Sequence, residues 1–231
     1  PLTVSKITAT GASGIDIQGK TFGFTVGDLE LLASAESFHI NQERDQSLII
    51  NGLVSGAGDL VLSRNGGFSD GVTPDEVFLF GGSSPNTMTG TLSFLNQSNG
   101  AEPSYWVADK VGAFGQASSM TVEVNGTGGG TNIAQLVLTA NTIGGEGAID
   151  DDATSVFLGL NAEVNVAAGV NEVIGSGLLT VDGLGVIADG TYDSSESWIS
   201  GDGFITVGIP EPSSAVLLGL GGLALMSRRR R

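Results

Sequence analysis

The chain has 231 residues, with 37 Gly, no Cys, and 25 Asp+Glu against 9 Lys+Arg. That charge balance excludes nucleic-acid binding, which needs clustered cations, and the missing cysteine excludes a disulfide framework and thiolate catalysis. Glycine at this level without a three-residue period excludes collagen and argues against a helical body, while 40% hydrophobic residues suffice for a packed core. Outside Arg228 to Arg231 the cations are Lys6, Lys20, Arg44, Arg64 and Lys110, far apart in sequence. Such an acidic, hydrated surface suits a protein outside the cell and allows loose divalent-cation binding.

The chain begins at Pro1 rather than Met, which suggests a removed leader or a fragment. Residues 1–47 carry no pattern that can be named. Within them, Gly27 to Glu36 reads as either helix or strand, because Leu29 and Leu31 lie two apart. From residue 48 onward, brief apolar runs alternate with Gly, Asn, Asp and Ser. The runs are Leu48 to Ile50, Leu60 to Leu62, Val77 to Phe80, Leu92 to Phe94, Met120 to Val124, Leu136 to Leu138, Val156 to Leu158, Leu178 to Val181 and Phe204 to Val207. Thr121-Val122-Glu123-Val124 and Ala162-Glu163-Val164-Asn165-Val166 alternate with the period of a half-buried strand. The body is therefore expected to be all-β, either a stacked parallel β-helix or an antiparallel β-sandwich.

Two stretches carry a resemblance. SGAGDLVL (55–62) places Gly56, Gly58, Leu60 and Leu62, and PNTMTGTLSF (85–94) places Asn86, Thr87, Gly90 and Thr91, in a pattern that resembles the autotransporter-associated β-strand repeat. Residues 111–126, 161–192 and 198–207 are similar to linking and terminal modules of the same family. The resemblance implies a right-handed parallel β-helix with a role in export and no known chemistry. The stretch Arg64 to Ser84 between the two halves is longer than the family's spacing. Tyr192 and Trp198 are candidates for a C-terminal cap over the last coil.

Few residues of the chain point to chemistry. His39 is the one histidine; no Gly-x-Ser-x-Gly elbow accompanies it, and one histidine without cysteine cannot build an ordinary zinc site. Calcium is the metal the sequence leaves room for. Asp150, Asp151 and Asp152 follow Gly-Gly-Glu-Gly, superficially like a calcium-binding nonapeptide, and Asp70, Asp75 and Glu76 form a second acidic loop. No cofactor motif is present, and the chain is expected not to be an enzyme.

The last segment is the most informative. Pro210-Glu211-Pro212 is a stiff extended stretch. An uncharged apolar run follows, carrying Val216, Leu217, Leu218, Leu220, Leu223 and Leu225, and then Arg228, Arg229, Arg230 and Arg231. The physics is that of a membrane-held terminus: the run sits in lipid as a short hydrophobic helix, and the arginines stay on the cytoplasmic side. Spanning takes about 20 apolar residues, so this run is a marginal anchor, suited to a transient signal. The order of the three parts resembles the PEP-CTERM sorting signal of Gram-negative bacteria. That resemblance implies recognition of Pro210, Glu211 and Pro212 by exosortase, a membrane-embedded transpeptidase-like enzyme, and transient membrane contact through the tail.

The expected organisation is a glycine-rich extracellular domain over 1–208 and a sorting tail over 209–231. The expected role is an exported structural or adhesive protein of the cell surface or extracellular matrix, with extracellular polysaccharide as a partner. A secreted carbohydrate-binding module and a β-helix polysaccharide-active enzyme are the alternatives.

Overall fold

The computed structural model describes residues 2–10, 13–17, 23–32, 37–42, 47–64, 77–97, 103–124, 133–140, 147–150 and 154–208. Within them the chain runs through short strands: β1 (Leu2–Ala9), β2 (Ser13–Ile17), β3 (Phe24–Leu31), β4 (Phe38–Gln42), β5 (Leu48–Ile50), β6 (Val54–Gly56), β7 (Leu60–Arg64), β8 (Val77–Phe80), β9 (Thr87–Met88) and β10 (Thr91–Asn96). It continues through β11 (Ser104–Ala108), β12 (Ser119–Val124), β13 (Ala134–Leu138), β14 (Ser155–Leu158), β15 (Ala162–Val166), β16 (Asn171–Ile174), β17 (Leu179–Val181), β18 (Gly185–Val186), β19 (Gly190–Tyr192), β20 (Ile199–Ser200) and β21 (Phe204–Val207). No α-helix occurs among the described residues.

Most strands near in sequence pair not with each other but with strands one or more steps further along, in two curled sheets. One sheet has the order β18-β17-β14-β12-β10-β7-β4-β2, the other β20-β15-β13-β11-β8-β5-β3-β6-β9 with β1 also on β3, and β16-β21-β19 form a third. Every pairing is parallel except β17 with β18 and β19 with β21. The antiparallel sandwich weighed from the sequence therefore does not describe this body. Parallel neighbours need a long connection between them, and here that connection is the strand in the opposite sheet. The segment Gly27 to Glu36 falls partly in β3, a strand. The hydrophobic helix expected in the tail lies outside the described residues.

Register explains the apolar pattern. Phe38, Leu60, Leu92, Met120, Val156 and Leu179 are successive partners along one sheet; Ile40, Leu62, Phe94, Val122, Leu158 and Val181 form the next row inward. All of them are buried. On the facing sheet Phe24, Leu48, Phe78, Trp106, Leu136, Val164 and Ile199 stack in the same manner. The centre is aromatic: Trp106 stacks on Phe78 and Phe94 with centroids 5.8 and 5.6 Å apart, and Phe114 meets Phe80 edge-on at 5.4 Å. A third, narrower side is made by β6, β9 and the turns at 112–116 and 147–149. It is joined by backbone bonds from Thr89 N to Gly56 O (2.9 Å), Gln116 N to Met88 O (3.0 Å) and Phe114 N to Ala148 O (3.0 Å).

Two glycines permit this close stacking. Gly56 holds φ at +102°, where a side chain would strain the backbone, and a Cβ there would sit against the Leu31 carbonyl. A Cβ at Gly90 would strike the Gly58 carbonyl. At the corners, side chains take backbone N–H groups that no strand satisfies. Asp28 Oδ1 accepts from Leu53 N (2.9 Å) and Asp59 Oδ1 from Thr91 N (2.8 Å).

Truncating the aromatic centre should be far costlier than changing an end. Phe94→Ala should lower the unfolding free energy by about 3–5 kcal/mol in urea titrations. Leu2→Ser, at a side chain 62% exposed, should change it by less than about 0.5 kcal/mol. Equal effects would contradict a continuous central stack.

Candidate functional site

The last described strands bring two aromatic residues together. Trp198 is buried beside β15, where Val164 N donates to Trp198 O (3.0 Å). Tyr192 packs on Trp198 with ring centroids 5.7 Å apart, and its hydroxyl donates to Ala188 O (2.8 Å). Tyr192 and Trp198, the cap candidates of the sequence, thus pack on each other, Trp198 buried and Tyr192 half-buried. The chain then enters β21 and reaches Gly208, whose N–H donates to Ile174 O (2.8 Å). Pro210, Glu211, Pro212, Val216, Leu217, Leu218, Leu220, Leu223, Leu225 and Arg228 to Arg231 lie outside the described residues.

The body's chemical candidates are dispersed. His39 points outward from β4 and is exposed. Lys6 bonds Glu30 across β1 and β3 at 2.8 Å; each raises or lowers the other in the expected sense, the Lys6 ammonium above and the Glu30 carboxyl below its ordinary range, chiefly through that hydrogen bond. This is an exposed surface pair and contributes little to stability. Lys20, Arg44, Asp70, Asp75 and Glu76 lie outside the described residues, as do Asp151 and Asp152. Asp150 is half-buried, and its carbonyl accepts from Thr154 N at 3.4 Å. The turn before it is organised by a carboxylate from elsewhere: Glu172, fully buried, accepts from Ile149 N (2.8 Å) and Ala148 N (3.0 Å). No group of three His, Cys, Asp or Glu suited to a metal ion occurs among the described residues.

Two buried polar clusters were invisible in the sequence. The first is a corner built on Asn86 and Lys110. Asn86 Oδ1 accepts from Val54 N (2.8 Å) and Lys110 Nζ (2.7 Å), Asn86 Nδ2 donates to Ala113 O, and Lys110 Nζ also donates to Gly52 O (2.9 Å). Burial lowers the Lys110 pKa to about 8, with the Asp28 carboxylate partly opposing it. The second is a row at the ends of β4, β7 and β10, where Gln42, Arg64 and Asn96 are register partners and all buried. Arg64 Nη1 donates to Pro103 O (3.1 Å) and Asn96 Nδ2 to Ile133 O (3.0 Å), tying one sheet to the other. Gln42 has neither amide atom hydrogen-bonded, and Ser104 Oγ is in the same state.

Residues 208–231 match the family model described as the PEP-CTERM protein-sorting motif. No curated protein and no solved structure matches the chain. The motif marks an exported, cell-surface-associated protein that is sorted by exosortase. The likeness of the body to the autotransporter-associated repeat finds no support in these comparisons.

The two clusters generate opposite mutational outcomes. Asn86→Leu strands the Val54 N–H and the Lys110 ammonium and should cost about 1–3 kcal/mol or more. Gln42→Leu removes two orphaned groups and should be neutral or stabilising in the same urea titration. Lys110 gives a pH signature. Its folded pKa lies below the 10.5 of an exposed lysine, so between about pH 8 and pH 10 the unfolded chain binds the extra proton and stability rises with pH. The stability of the parent minus that of Lys110→Met should be flat below pH 8 and increase from pH 8 to pH 10; a flat difference across the whole range would contradict the assignment.

Proposed function

We propose that the chain is an exported protein of a Gram-negative bacterium whose body, residues 1–208, is a non-catalytic structural or adhesive element of the cell surface or polysaccharide matrix. In this reading the body is a right-handed parallel β-helix. Exosortase recognises Pro210, Glu211 and Pro212, the run from Val216 to Leu225 lies in the membrane, and Arg228 to Arg231 hold the cytoplasmic side. The observation that carries the reading is the sorting-motif match over 208–231, which begins at Gly208, just after β21.

Several features support a role in display. The two main sheets turn broad outer faces to solvent, and their inward rows leave the interior filled. Among the described residues the cations are dispersed: Lys6 is held by Glu30 on the outer side of β1, and Lys110 and Arg64 are buried. The outer face offers polysaccharide a polar platform, where Tyr105, Gln135 and Glu163 are register partners on β11, β13 and β15. Gln135 Nε2 donates to Glu163 Oε1 there (2.6 Å), and Asn165 Nδ2 donates to Ser200 Oγ (3.0 Å).

The test is expression in an exosortase-bearing host and in its exosortase deletion. Mass spectrometry of the secreted material should find a body shortened at its C-terminus in the first host and none in the second. Replacing Pro210-Glu211-Pro212 by three alanines should abolish the shortened product. Secreted protein that keeps Arg228 to Arg231 would overturn the reading.

A further inference from the structure

The C-terminal end of the body carries a surface whose composition the fold alone does not explain. Among the described residues the exposed large hydrophobics are Leu2, Leu32, Phe157, Leu160, Leu184, Val186 and Phe204, and five of these seven lie from residue 157 onward. Register gathers several of them. Thr180 of β17 is partnered by Phe157 on one side and Val186 on the other, so both flank it on the outer face of the same sheet. Leu184 sits in the turn of that hairpin, and Leu160 follows the strand that carries Phe157. Leu160, Leu184 and Val186 are 60%, 59% and 63% exposed.

Charge at this end has one sign. Residues 178–208 contain Asp182, Asp189, Asp193, Glu196 and Asp202, and no Lys or Arg occurs between Lys110 and Arg228. An acidic face with apolar side chains at its centre is repelled by an anionic bilayer and complements a protein surface that is apolar with a basic rim. The connection to the tail limits the partner. A Cβ on Gly208 would meet Asp189, three residues beyond Val186, and from Gly208 to Pro212 the chain can reach at most about 14 Å, so whatever holds Pro210-Glu211-Pro212 works close to this face.

We infer that this face, centred on Leu184 and Val186 with Phe157 and Leu160, is a docking surface for the membrane-embedded processing enzyme, which thereby reads the folded end of the body as well as the tail. The inference rests on the sorting reading above. Two weak contacts joined by a short link act together with a high effective concentration, so a marginal motif gains selectivity for chains whose body has already folded.

The experiment is pulse-chase processing of the full chain in an exosortase-bearing host. The double variant Leu184→Ser with Val186→Ser should be processed about tenfold more slowly, whereas Leu2→Ser, at the opposite end, should match the parent. Asp182→Asn with Asp189→Asn should also be slowed, which separates docking from any loss of fold, as should an unchanged melting temperature of the secreted body. Parental processing rates in both double variants, with the three-alanine tail variant blocked, would overturn the docking surface and leave sorting intact. Processing of the three-alanine variant would overturn the sorting reading and the inference with it. Flotation of the secreted body with vesicles of phosphatidylcholine and phosphatidylglycerol, lost in the Leu184→Ser, Val186→Ser variant, would assign the face to lipid and overturn the enzyme as its partner.

Discussion

Parallel backbone pairing in a fixed register is the constraint on which the rest of this molecule depends. A parallel ladder places like positions of successive strands above one another, so the central inward rows must be apolar, while the polar row of Gln42, Arg64 and Asn96 lies at the strand ends. From Phe38 to Leu179 and from Ile40 to Val181, the rows through Leu92 and Phe94 meet that demand with Phe, Leu, Ile, Val and Met at every step. A one-residue slip would turn Phe94 outward and carry Ser93 or Leu95 inward, and every neighbouring strand would have to follow. The central ring cluster around Trp106 and Phe114 locks the two sheets against such a slip.

The corners bear the electrostatic side of the same constraint. Changing sheets leaves backbone groups without ladder partners, and buried backbone groups of that kind are costly. Asp28, Asp59, Asn86 and Glu172 each reach to a neighbouring coil to accept those N–H groups. Side chains therefore bond the coils together where backbone pairing stops. Gln42 shows the converse: it keeps its place in the row with Arg64 and Asn96 although its own amide is unsatisfied. The stack is tolerant enough to hold a few such groups because its apolar rows dominate.

Much of this was legible in the residues. The runs at Leu48 to Ile50, Val77 to Phe80 and Phe204 to Val207 coincide with β5, β8 and β21, since brief apolar runs bounded by glycine and polar residues have few other uses. The strands β1, β2 and β4 lie in a region without a nameable pattern. β1 is largely exposed and so lacks alternation, and β4 ends in the polar pair Asn41 and Gln42. The stacking period was hidden because partners such as Phe38, Leu60, Leu92, Met120 and Val156 are unevenly spaced along the chain. The buried roles of Asn86, Lys110 and Glu172 depend on residues distant in sequence, and local pattern carries no trace of them. The tail was the opposite case: Pro-Glu-Pro, an apolar run and four arginines are a linear signal that needs no tertiary context.

The most direct test of the account is the register itself, and the absence of cysteine makes it clean. Ser93, Thr121, Phe157 and Thr180 are successive outward partners on β10, β12, β14 and β17. Neighbouring strands lie about 4.8 Å apart, so a thiol cross-linker spanning about 8 Å reaches one strand over but not three. The account predicts rapid intramolecular cross-linking of Ser93→Cys with Thr121→Cys and none of Ser93→Cys with Thr180→Cys. Efficient cross-linking of the second pair, or failure of the first in a folded protein, would contradict the parallel stack.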